Sequence, residues 1–142
     1  MRGLDPITRA DFQQLSGSRL QEAMTLLASG HAAGAYYLAG YAVECALKAC
    51  FCKRRQPEHF PPKVSVVARM YSHDLSGLLE LAELGAALDA ENDAMLKRYR
   101  AVAKDWSEES RYAFPGQAHA QLLVTAVTEP THGVLPWLRR YW

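Results

Sequence analysis

Charge of one sign, strand-like runs and long apolar stretches are all scarce in this chain. Its 16 Lys and Arg stand against 15 Asp and Glu, so no net field draws in nucleic acid or an anionic membrane, and any such binding has to be local. No window approaches the ~18 uninterrupted apolar residues of a membrane-spanning helix. The opening MRGLDPITRADF lacks the apolar core of a signal peptide, so the expected location is the cytoplasm, with no membrane partner. β-Branched residues gather only at 64–67, inside a proline-rich stretch, which argues against a sheet. Cysteine is limited to Cys45, Cys50 and Cys52. An odd number crowded into one segment is not a disulfide framework, and no Cys-x-x-Cys pair or Cys/His cluster has metal-binding spacing. These are read as reduced core thiols, and no metal or cofactor is expected. Also missing are a GxxxxGK phosphate loop, a GxSxG elbow, an HExxH pair and a glycine-rich dinucleotide turn.

What is there is helical. At 142 residues and 49% hydrophobic, the chain fits one domain, 1–142, able to bury about 70% of its unfolded surface. A first helix can open at Asp5-Pro6 or at Thr8 with Asp11 three residues on. Gly17 precedes a second start signal, Ser18 with Gln21, and is expected to bend it; Gly30 is a natural stop. A second helix is expected from about His31 to Arg54, with Tyr37, Gly40, Tyr41, Glu44, Leu47, Lys48 and Phe51 on one side. Ala35, Ala39, Ala42, Ala46 and Ala49 form a stripe on the other. Such a helix packs closely on both sides and belongs at the centre of a bundle. Residues 52–71 hold Pro57, Pro61 and Pro62 and five basic side chains against one Glu58, and read as a loop. Its Lys53, Arg54, Arg55, Lys63 and Arg69, beside Phe60 and Tyr71, either solubilise that loop or contact phosphates. A third helix is expected to be capped by Ser72 and closed by Gly85, a fourth to start at Asp89, and a last to open at Pro115 and be interrupted at Pro130. The apolar tail GVLPWLRRYW packs on the core or on a second subunit. The fold class is therefore all-α, an up-and-down bundle of four to five helices with two long central ones.

Glu44 is the anomaly, a single carboxylate in the apolar run AGAYYLAGYAVECALKA at 33–49. An ionised carboxylate inside a bundle is costly without a partner. Lys48, four residues on, is worth only about 0.3–0.5 kcal/mol as a helix-surface pair. An arginine from elsewhere could satisfy both oxygens, and Arg111, flanked by Trp106 and Tyr112, is the expected partner. His73 and Asp74 open the third helix, where exposed N–H groups and the dipole favour an anion or plain capping. His119 follows eight positions after Arg111, whereas His31, His59 and His132 have no evident partner.

In order along the chain, YYLAGYAVECALKA on a long helix, HDL opening the next, and W-x4-RY before a final helix ending near a tryptophan resemble HEPN domains, the higher eukaryotes and prokaryotes nucleotide-binding group. The resemblance runs from about Arg19 to Trp142. It implies a four- to five-helix bundle with the second and last long helices at its centre. It also implies a homodimer and partnership with a small nucleotidyltransferase in a toxin–antitoxin type two-gene module. For some members it implies nucleotide binding or metal-independent RNA cleavage. Cleaving members carry arginine and histidine with four to six residues between them. Here seven residues separate Arg111 from His119, and Pro115 and Gly116 lie among them.

Three functional readings follow. In the first, Glu44, Asp74, Arg111, His73, Tyr37 and Tyr41 line a cleft that binds a nucleotide or a nucleotide carried by a partner protein, without chemistry by this chain alone. In the second, the protein is a metal-independent endoribonuclease with His119 as general base or acid and Arg111 stabilising the phosphorane. In the third, the polar cluster is an interior ion-pair network and the protein is a structural dimerisation domain.

Overall fold

The computed structural model describes residues 6–142, and among them every regular element is helical. Helix α1 (Arg9–Ala28) begins at Thr8, whose hydroxyl accepts from the Asp11 N–H while the Asp11 carboxylate accepts from the Thr8 N–H at 2.9 Å, a reciprocal capping box. The alternative start involves Asp5, outside the described residues. The expected interruption at Gly17 is absent, since α1 is one continuous helix. Its neighbour Ser16 is fully buried and donates its hydroxyl to the Ala42 carbonyl at 2.8 Å, so packing holds the turn that the local signal would have opened. Gly30, at φ 80°, reverses the chain.

Helix α2 (Ala32–Arg54) is the element that packs against the most others in the fold. Ala35, Ala39, Ala42, Ala46 and Ala49 are wholly inaccessible, and their small side chains let α1 lie close along it, the most extensive interface in the fold. The two long helices are thus consecutive. The later helix α7 (Gln117–Thr128) is shorter and adds Ala120, Leu123, Val124 and Val127 to the same core.

Between them the boundaries depart from expectation in ways that each have a local cause. The 52–71 loop is shorter than its composition suggests. α2 continues through Arg54, and Val64–Met70 forms helix α3, so only 55–63 is irregular, the segment that holds all three prolines. The third core helix, α4 (Leu75–Leu81), is capped by Asp74 and not Ser72, because the Asp74 carboxylate accepts from the Ser76 N–H at 3.1 Å. Gly85 opens the short α5 (Gly85–Asp89) and closes nothing; the left-handed residue there is Glu83, at φ 57°. Helix α6 (Ala94–Lys104) starts at Asp93 and not at Asp89, since Asp93 accepts from the Leu96 N–H at 3.0 Å. A 3-10 helix spans Glu108–Tyr112, and α7 begins two residues beyond Pro115. α7 stops at Thr128, ahead of Pro130, and the Glu129 carboxylate turns the chain by accepting from Thr131 and His132 N–H. Helix α8 (Val134–Leu138) buries Trp137 and Leu138 against the core. The tail is tied down on this chain's own core, Gln13 donating to the Trp142 carbonyl at 2.9 Å.

Candidate functional site

Glu44 lies at the middle of α2 with 2% of its surface exposed. Its two oxygens are divided. Oε2 accepts from Lys48 Nζ at 3.1 Å, and Oε1 lies 2.9 Å from His73 Nδ1. The expected ion pair with Arg111 is not formed. Arg111 stands exposed on the 3-10 helix with its guanidinium 5.0 Å over the Tyr112 ring. The helix-surface lysine judged too weak alone is one half of the answer, because its side chain is largely covered and acts where the effective dielectric is low. Histidine supplies the other half.

His73 reaches Glu44 because of what surrounds it. α3 ends at Met70, with Tyr71 as its C-cap, α4 starts at Leu75, and Leu75 and Leu78 are driven into the core against α2. The short non-helical step 72–74 is thereby pinned over the middle of α2. Asp74 spends its carboxylate on capping, so the His73 orienter is the distant Glu44 and not the adjacent Asp74. A carboxylate has no proton to give, so Nδ1 is the donor and carries the hydrogen. Among the described residues His73 Nε2 has no hydrogen-bond partner, and the side chain is 45% exposed.

One and two turns back along α2 stand Tyr41 and Tyr37. Their rings are nearly parallel, 3° apart in tilt and 6.3 Å between centroids, and both are half-buried. Burial pushes the Tyr41 hydroxyl up from its usual pKa, with the neighbouring Cys45 and Glu44 adding to it. Tyr37 also meets Trp106, ring centroids 6.2 Å apart. Hydrogen bonding with Tyr112 foremost, and with Tyr37, raises the Arg111 pKa above its ordinary value. Arg111, Tyr37, Tyr41, then Glu44 with His73 and Lys48, therefore form one strip along α2, a cation at one end and a carboxylate–imidazole pair at the other.

His119 lies elsewhere. It is exposed in the first turn of α7, its ring tilted against Tyr36 at 4.9 Å, in a surface hollow shared with Asp105 and Ser110. It makes no hydrogen bond with Arg111, which stacks on Tyr112. Two pairings were not visible in the sequence, Glu44–His73 and Asp93–His132. The second is a 2.8 Å contact from Asp93 Oδ2 to His132 Nδ1 that lowers the Asp93 pKa and raises that of His132. Each joins a histidine to an acid 29 or 39 positions away, beyond the reach of helical spacing.

Burial pushes the thiols of Cys45 and Cys50 up to about 11, so both are inert as nucleophiles near neutrality. Among the described residues, no group of three or more His, Cys, Asp and Glu side chains is arranged to hold a metal ion, and no helix is long and apolar enough to cross a membrane. No family model matches the chain, and neither a curated protein nor a solved structure does.

Proposed function

We propose that the protein is a HEPN-like helical module that binds a nucleotide along the polar, half-buried face of α2 that carries Tyr37, Tyr41 and Glu44, within a nucleotidyltransferase-linked, toxin–antitoxin type pair of proteins. The single observation that carries this reading is the strip itself. Two parallel tyrosine rings and a polar cluster share one face of α2 within about two turns, and the 3-10 helix that packs on α2 sets the Arg111 guanidinium beside Tyr37. Arginine suits phosphate because its fork offers paired donors, and aromatic rings suit a base because every base has a π-face. A near-zero net charge fits a small ligand better than a long polyanion. The module works as a homodimer in this reading, for which the exposed Tyr112, Phe114 and Leu122 offer apolar surface.

Titration of fluorescent ATP or GTP against the wild type and Arg111→Ala tests the proposal. Arg111→Ala is expected to weaken binding about tenfold to a hundredfold, the worth of a charge-assisted pair. Equal affinity in the two proteins, or no binding by either, would overturn it.

A further inference from the structure

Deepening the nucleotide reading, on which it rests, we infer that His73 Nε2 is a specificity element that accepts a hydrogen bond from the exocyclic amino group of an adenine base and so selects adenine over 6-oxopurine nucleotides. The argument begins with the fixed proton. Glu44, as the carboxylate paired with Lys48, can only accept, so the 2.9 Å contact assigns the hydrogen to His73 Nδ1. In the neutral ring Nε2 is then an acceptor with a defined direction, and it has no partner among the described residues although the side chain is 45% exposed.

Position adds the second half. Tyr37, Tyr41, Glu44 and Lys48 fall on one face of α2. Arg111 stands at the Tyr37 end and His73 at the Glu44 end, and about 10 Å of helix rise separates Tyr37 from Glu44. That is a span which a nucleoside di- or triphosphate bridges, with its phosphates on Arg111 and its base near Tyr41. At the His73 end an acceptor meets the 6-amino group of adenine favourably. It faces the 6-carbonyl of guanine or hypoxanthine as one acceptor against another, leaving both unpaired.

Competition of unlabelled ATP and ITP against fluorescent ATP, at mildly alkaline pH, tests this, since the two differ in the base by a 6-amino group beside an acceptor N1 in one and a 6-carbonyl beside an N1–H in the other. The wild type is expected to favour ATP about tenfold. His73→Ala, a half-exposed position outside the core, is expected to bring the ratio to about one, and Arg111→Ala to weaken both ligands while leaving the ratio unchanged. Equal binding of ATP and ITP by the wild type overturns this inference alone; failure of both to bind overturns it together with the nucleotide reading. Nitrogen-15 NMR of the imidazole adds a ligand-free arm. The neutral His73 ring is expected to carry its proton on Nδ1, and a proton found on Nε2 overturns the inference whatever the binding data.

Discussion

The indole of Trp106 occupies the place where a side chain at position 40 would start. A Cβ built on Gly40 would lie 2.3 Å from Cδ1, Cδ2 and Cε2 of that ring. Alanine in the middle of a helix ordinarily gains about 0.5–1 kcal/mol over glycine. Here the sign reverses, because Trp106 is 4% exposed and wedged against Tyr37, with nowhere to move. Gly40→Ala is expected to destabilise by about 1–3 kcal/mol, read as a lower urea midpoint at unchanged slope. An unchanged or raised midpoint would show that the ring is free to shift.

The two partners of Glu44 differ in what their loss leaves behind. Lys48→Met removes the covered cation and leaves a 2% exposed carboxylate held by His73 alone, an expected cost of about 2–3 kcal/mol. Glu44→Gln strands Lys48 and His73 instead, but both can turn toward water, so about 1 kcal/mol is expected. Chemical denaturation of the two variants side by side decides the matter, and the reverse ranking would contradict the assignment of Glu44 as the trapped charge.

Asp93 and His132 make stability depend on pH on both sides of a window. The His132 pKa is raised, chiefly by its hydrogen bond to Asp93, so its contribution is complete below the unfolded value near 6.5 and disappears as pH rises through the folded one. The Asp93 pKa is lowered, chiefly by His132, so its contribution is complete above about 3.9 and disappears as pH falls through the folded one. Thermal unfolding of wild type and His132→Gln is expected to differ most near pH 5 and to converge by about pH 8. A difference that is constant over that range would rule the pair out as its source.

The helical class was legible because α2 declares itself. Its alanine stripe, the Gly30 stop that precedes it and the prolines that follow it are local properties of the chain, and the predicted span of about 31–54 matches the observed Ala32–Arg54. Glu44 was legible as a buried charge for the same reason. Its true partner was not, since His73 is brought to it only by the burial of Leu75 and Leu78 on α2, a tertiary event with no trace in spacing. The starts of α4 and α6 were misplaced for a smaller reason. Ser72 and Asp74, like Asp89 and Asp93, are competing caps within four residues of each other, and the apolar residues that dock choose between them. Val64–Met70 reads as strand or loop by residue type, yet among the described residues there is no neighbouring strand to pair with, and its backbone hydrogen bonds are met within a turn of helix.

The broadest seam of the bundle joins two elements adjacent in sequence and ends before residue 55. Contacts between chain neighbours carry little loop-closure entropy and form fast. During synthesis this hairpin can therefore zip up while the rest of the polypeptide is still being made, and the later short helices arrive on a template already in place. Until residue 73 emerges, however, the carboxylate at the centre of that template has only Lys48, so the nascent hairpin carries an unfinished polar bond that the second half of the chain completes.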